Sequence, residues 1–206
     1  ETLVLTHPDG DHIGGAAAVM EHLAPGRVID PMLPSAKAAY AELLGLARSP
    51  GVAWSPARAG DRDEIDGVLF DVLHPSADFD PGDETNAASV VIRLSWNSFS
   101  ALLTGDAYVD VERSVATRVG DVDVLKVGHH GCETSTDSTF LTVIRPEVAL
   151  VSAGRGNRYG HPAPRVVERL RSAGASIRRT DREGTIRIVV RRDGSYQVEA
   201  LGRIRR

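Results

Sequence analysis

Thr2-Leu3-Val4-Leu5-Thr6-His7-Pro8-Asp9-Gly10-Asp11-His12-Ile13-Gly14-Gly15 is the stretch from which the rest of the chain can be organised. Residues 2–6 read as a short buried strand, and the segment from His7 to His12 holds too many turn formers and charges to continue it. Four metal-competent side chains, His7, Asp9, Asp11 and His12, therefore fall within six residues at a strand end. Alternate residues of an extended segment face one side, so His7, Asp9 and Asp11 can converge while His12 closes from the next turn. A polar loop serving only as a helix cap would not need histidines at both ends. Gly14-Gly15 lets the next helix, residues 16–23 stopped by Pro25-Gly26, begin close to bound metals with its N-terminal dipole toward an anionic ligand.

Outward from this stretch, strand and helix patterns alternate. A strand near residues 28–29, a helix over 35–48 and a strand near 52 precede a polar connection at 57–66. Residues 68–73 read as a strand broken at His74-Pro75, followed by an acidic, turn-rich stretch at 78–86. Two apolar runs, 89–96 and 99–104, meet across Asn97-Ser98 as a hairpin. An amphipathic helix is expected over 109–119, and then a buried strand over 122–127 interrupted by His129-His130-Gly131. A short helix at 140–144, a strand at 148–152, a helix at 165–172 and strands at 177–179, 186–190 and 196–200 complete the pattern. Hairpins and helices in the first half, and strand-helix repeats in the second, predict sheets covered by helices in a layered α/β arrangement.

The chain has 206 residues, 42% of them hydrophobic, enough for one sizeable core but hardly for two independent ones, so residues 1–206 are expected to form a single domain. No apolar run approaches the roughly 18 residues that a membrane-spanning helix needs, and the first residues lack the basic flank of a secretory signal. A lone cysteine, Cys132, cannot form an internal disulfide and leaves the redox compartment open. The net charge of −4 is unevenly spread: residues 165–206 hold 12 Arg against 5 acidic residues, net +7, and residues 1–164 carry net −11. Such a basic section is suited to a polyanion, through counterion release, or to solvated arginines on strand edges.

The cluster at residues 7–15 closely resembles the HxHxDH signature of metallo-β-lactamase-fold enzymes, in the HxDxDHxGG form typical of ComEC-type competence proteins. Four further blocks follow in the family's order: Asn86-x-x-Ser89, Leu102-Leu103-Thr104-Gly105-Asp106, Leu125-Lys126-Val127-Gly128-His129-His130-Gly131, and residues 154–162 ending Tyr159-Gly160-His161-Pro162. The resemblance spans residues 2 to about 185 and implies a four-layer αββα metallo-β-lactamase sandwich. Family members normally open with two or more strands ahead of the HxDxDH block, so the domain is expected to be N-terminally truncated.

The resemblance implies two divalent metal ions. His7 and Asp9 serve one, Asp11 and His12 the other, Asp106 bridges both, and either His129 or His130 completes the second site. Asp9 and Asn86 stand where many members have histidine, so the site is richer in oxygen and Mn²⁺ gains ground relative to Zn²⁺. Asn86, Ser89, Arg155, Asn157, Arg158 and Tyr159 are candidates for substrate binding, and Asp11, Asp106 and His161 for catalysis. Arginine suits bidentate phosphate contact, and a histidine can protonate a leaving alkoxide. His22 and His74 are expected to be structural or exposed. The expected activity is hydrolysis of phosphodiesters, most of all DNA during its uptake, by a hydroxide activated between the two ions. Alternatives are hydrolysis of another ester or phosphodiester, as in choline-phosphate esterases with similar blocks, or a metal- or DNA-binding module without turnover. The same resemblance implies attachment to a membrane transporter domain, with this segment on the extracytoplasmic face of the membrane.

Overall fold

In the computed structural model, residues 1–33, 37–47, 51–80, 82 and 84–202 are described. Three sheets form. The first joins β1 (Thr2–Val4), β2 (Arg27–Asp30) and β3 (Ala53–Pro56), all parallel, and packs against α1 (Gly10–Ile13), α2 (Ala16–Leu23) and α3 (Ala38–Ala47). The second is seven-stranded, built from β4 (Arg62–Ile65), β5 (Val68–His74), β6 (Val91–Trp96), β7 (Phe99–Leu103), β8 (Val124–Lys126), β9 (Val148–Val151) and β10 (Ser176–Arg179), each strand beside its successor. Its β4 to β7 half is antiparallel and its β7 to β10 half parallel. A separate antiparallel hairpin joins β11 (Thr185–Val190) and β12 (Tyr196–Gly202).

Strand alternation sets the layers. Leu102, Leu125, Ala149 and Val151 point to one face of the large sheet, where α4 (Val109–Val119), α5 (Ser138–Ile144) and α6 (Pro164–Ser172) cover them. On the other face, Val72 and Ile92 meet Val4 and Ile29 of the first sheet, while Phe99, Ala101, Val124 and Val148 meet Ile188, Val190 and Val198 of the hairpin. The result is helices, sheet, sheet and helices, the αββα sandwich expected, with the hairpin sharing the layer of the first sheet. Each fully buried Val or Leu in these interfaces contributes about 1.5–3 kcal/mol.

Most expected elements are present near their expected bounds, and the differences have physical causes. Inside the expected polar connection, Arg62–Ile65 forms β4, an edge strand antiparallel to β5. Its residues are charged because one face of an edge strand meets water, and the Arg62–Asp71 and Arg27–Asp63 ion pairs tie it down. The segment after His7 is not extended as far as Asp11: Asp9 is the residue before α1, and Gly10–Ile13 makes a helical turn. Residues 35, 36 and 48 of the expected third helix lie outside the described residues.

Candidate metal centre

The carboxyl ends of β1, β7, β8 and β9 open onto one edge of the sandwich, and the candidate ligands stand in the loops leaving them. His7 and His12 flank the start of α1, Asp106 follows β7, and His129 and His130 follow β8. Two groups result: His7, His12 and Asp106, and Asp11, His12 and His130, the ligand atoms of each lying within 4.8 Å of one another. His12 belongs to both. Its Nε2 lies 3.2 Å from Asp106 Oδ2 and 3.2 Å from His130 Nε2, and His130 Nε2 lies 3.4 Å from both Asp106 Oδ2 and Asp11 Oδ2.

The backs of the rings are tied so that Nε2 faces the centre. The Thr6 hydroxyl lies 3.1 Å from His7 Nδ1 and 3.2 Å from His12 Nδ1, and the His130 Nδ1–H donates to the Ser152 carbonyl at 2.7 Å. Such bonds fix tautomer and ring orientation at metal sites. Ser89, fully buried, lies beneath: its hydroxyl accepts the Asp106 amide at 3.0 Å and stands 3.3 Å from His7 Nδ1. Among the described residues, buried His7 Nε2 and Asp106 Oδ1 have no hydrogen-bond partner. Orphaned buried ring nitrogens and carboxylate oxygens that converge on one point are what a divalent cation satisfies, so the donor set fits the metal the sequence implies.

Backbone geometry serves the same end. Gly105 has φ +53°, and a Cβ there would sit 2.9 Å from Ser89 Cβ; glycine lets the chain turn Asp106 inward over Ser89. His129 and His130 both adopt positive φ, 46° and 55°, in the turn Gly128–Gly131. Two consecutive non-glycine residues there cost on the order of 1–3 kcal/mol each, a strain that cores do not need and sites do. The turn is held from below. Ser135 donates to the Gly128 carbonyl at 2.8 Å, and fully buried Glu112 accepts from the Thr136 amide at 2.5 Å and packs against Gly128.

Electrostatics follow from this packing. Burial opposes ionisation of Asp106, but hydrogen bonds from His12 and His130 and the nearby Lys126 charge prevail and hold its carboxyl well below the usual range. Burial, then the neighbouring His12, pushes His7 down to about 4, so it is a neutral ligand at pH 7. The hydrogen bond with Asp106 raises His130, and burial lowers His129 and His161. Lys126 sits behind the centre, its Nζ donating to the Gly105 carbonyl at 2.8 Å and lying 3.7 Å from Asp106 Oδ1.

Not all expected residues converge. Asp9 turns to Lys37 in an ion pair and accepts from the Thr85 hydroxyl at 2.9 Å. Asp11 reaches the centre with a side chain 66% exposed. His129 Nε2 lies 3.9 Å from Asp106 Oδ2 and 3.4 Å from Asn86 Nδ2, between the two. Above them opens a cavity of ≈ 410 Å³ lined by Asp9, Asp11, Asn86, Asp106, His129 and His130 together with Arg158, Tyr159 and His161. Asn157 locks the loop carrying the latter three: its side chain donates to the Gly154 and His161 carbonyls and accepts the His161 amide. Arg155 is exposed and lines none of the cavities around the centre among the described residues. His74 is buried and bonds the Ala87 carbonyl at 2.8 Å, anchoring the turn that presents Thr85 and Asn86; exposed His22 bonds its own helix.

Sequence reasoning missed Lys126, Lys37, Thr6, Thr85 and Glu112. For Lys126 the signal was present, a charge flanked on both sides by apolar residues within the strand 122–127. Lys37 and Thr85 carried none, because their pairing with Asp9 depends on how distant segments pack.

The chain is 37% identical over 188 residues to ComE operon protein 3 of Bacillus subtilis (strain 168), covering 90% of this chain and 24% of that protein. It is 34% identical over 188 residues to Recombination protein 2 of Haemophilus influenzae, covering 91% of this chain and 22% of that protein. It thus spans about a quarter of the length of these relatives. Among solved structures, CmlA, a diiron β-hydroxylase from Streptomyces venezuelae, superposes with a TM-score of 0.58 at 13% identity over 86% of this chain and 43% of that one, a likeness of fold alone. Residues 1–155 match the metallo-β-lactamase superfamily, and with this fold and these spaced ligands the chain belongs to that superfamily.

Proposed function

We propose that this chain is a dinuclear metal-dependent phosphodiesterase acting on DNA. A shared fold does not decide this, since the fold also carries a diiron β-hydroxylase. One observation carries the reading: two ligand groups that share His12 and meet at Asp106 open directly onto a cleft that Arg158 and His161 also line.

In this reading His7 and Asp9 would hold one ion and Asp11, His12 and His130 the other, Asp106 would serve both, and Mn²⁺ or Zn²⁺ would be the metal. The chemistry such a pair supplies is activation of water near neutral pH and neutralisation of charge on a phosphate. The chain's own residues do the rest. Arg158 grips a non-bridging phosphate oxygen, as a planar guanidinium suits. His161, which lines the cleft, gives a proton to the leaving oxygen. Asn86 and His129 face the cleft beside the first ion, and Ser89 holds Asp106 from beneath and is not exposed to substrate. Lys126 balances the buried charge of Asp106.

The relatives' names, a ComE operon protein, a recombination protein and, at 32% identity, competence protein ComA of Neisseria gonorrhoeae, support DNA as substrate and DNA uptake as setting. Among the described residues no helix is long and apolar enough to cross a membrane. Attachment to a membrane transporter, with this domain on the extracytoplasmic side, belongs to the same proposal. The basic C-terminal section contributes less than its charge implies, because Arg178, Arg179 and Arg187 pair with Glu183, Asp181 and Glu199.

The test is turnover of bis-p-nitrophenyl phosphate and of end-labelled DNA by Mn²⁺- or Zn²⁺-loaded protein. Cleavage of both, abolished by a chelator, is expected. Bound metal without cleavage of either makes the chain a binding module.

A further inference from the structure

The large cavity above the metal centre is one of two lobes. A second, of ≈ 220 Å³, shares Asp11, His130, Tyr159 and His161 with it but is otherwise lined by Ser152, Ala153, Gly154 and Asn157. The first lobe is walled by carboxylates, imidazoles and an arginine. The second is floored by small residues and backbone, with Tyr159 at its side. Its volume leaves room for one heteroaromatic ring with its substituents.

Tyr159 is 65% exposed, more than any other large hydrophobic side chain described. It is also held in place. Its ring stacks on His161 at 5.8 Å between centroids with 17° between planes, and the Arg158 guanidinium lies 4.9 Å from its centroid and donates to its hydroxyl at 2.7 Å. An ordered aromatic ring left in water beside a polar lobe suited to a phosphate has an obvious complement, the π-face of another ring attached to that phosphate.

Resting on the phosphodiesterase reading, we propose that Tyr159 and the backbone of residues 152–154 form a stacking subsite for the nucleobase adjoining the scissile phosphate. Two of the polar side chains beside the lobe are committed elsewhere: the Asn157 amide is tied within its own loop, and His130 Nδ1 is bonded to the Ser152 carbonyl. Stacking itself tolerates any base, because every base has a π-face. A base enters it only by leaving its own stack, so an unpaired strand is preferred over a duplex.

The experiment compares a 5′-labelled thymidine oligomer with an equally long oligomer of abasic tetrahydrofuran phosphate units, under one metal load. Wild-type protein is expected to cut the thymidine oligomer with kcat/KM about tenfold or more above the abasic one. Tyr159→Leu brings that ratio close to one, while Tyr159→Phe and Tyr159→Trp, which keep a ring, preserve it; metal content confirms that each variant retains its centre. Equal cleavage of the two oligomers by wild type, or a ratio unchanged in Tyr159→Leu, overturns the subsite and leaves the phosphodiesterase reading intact. Cleavage of neither overturns both.

Discussion

On the His130 side of Asp106, the protein alone brings Asp11, His12 and His130 within 4.8 Å of one another, each histidine fixed from behind by a hydroxyl or carbonyl. On the Asp9 side His7 stands equally close to His12 and Asp106, but the carboxylate expected to complete that half is not in place. Asp9 has turned to Lys37 and Thr85, and an asparagine and His129 occupy the remaining space. The difference comes from what each half stands on. The first-named half rests on adjacent parallel strand ends of the large sheet and on the start of α1. The other also needs the turn at residues 85–88 and the segment before α3, which belong to separate layers. On the proposed dinuclear reading, such a centre would bind its two ions unequally, one in the preorganised half and the other only as Asp9 exchanges Lys37 for metal.

The largest expected effect abolishes the comparison. Asp106→Ala removes the carboxylate common to both halves, and turnover should fall by about 10³-fold or more, with less than one equivalent of metal retained by elemental analysis. Retention of two equivalents would remove Asp106 from the first shell of ligands. Next, His130→Ala and His129→Ala separate the neighbours. His130→Ala should weaken the tighter site by about 100-fold in a metal titration, whereas His129→Ala should leave that site within about threefold and act on the weaker one. The reverse order would exchange their roles.

Beneath the preorganised half lies Glu112, whose carboxyl burial pushes up from 4.5 to about 8. A carboxyl raised on folding stabilises the fold fully below its unfolded pKa, and that contribution is lost as pH rises toward 8. Between pH 5 and 8 the wild type should therefore lose stability on the order of a few kcal/mol more than Glu112→Gln, whose neutral amide meets the Thr136 amide and hydroxyl at every pH. Parallel urea-midpoint curves for the two proteins would show that Glu112 is not held neutral. The smallest effect is at the other half. Lys37→Met releases Asp9 from this pair and should tighten the weaker metal site by about two- to fivefold, the scale of removing one competing surface charge pair. Weaker binding in this variant would mean that Lys37 supports the centre.

Much of this was legible in residues 2–15 and the four spaced blocks. Strand ends followed by His, Asp and Gly marked the edge where ligands gather, and the pattern of apolar runs placed nearly every strand and helix. What failed did so for lack of a local signal. Charged Arg62–Ile65 looks like a loop, because an edge strand paired on one side can be polar. Asp9 looks equivalent to Asp11 in sequence, yet a single helical turn beginning at Gly10 sends the two carboxylates to different partners. Ser89 reads as a candidate substrate contact and is buried under Asp106, since its neighbours come from the loops after β1 and β7. The arginine-rich end reads as a single-signed surface until its acidic partners are seen across the hairpin and around α7 (Thr180–Glu183).

The account as a whole depends on two unequal ions acting together on a phosphodiester. Metal-free protein titrated with Mn²⁺ or Zn²⁺ while bound metal and bis-p-nitrophenyl phosphate turnover are followed on the same samples tests it directly. Binding should resolve into a tight and a weaker equivalent, with turnover rising only as the second fills. Full turnover at one equivalent, or none at two, would contradict it.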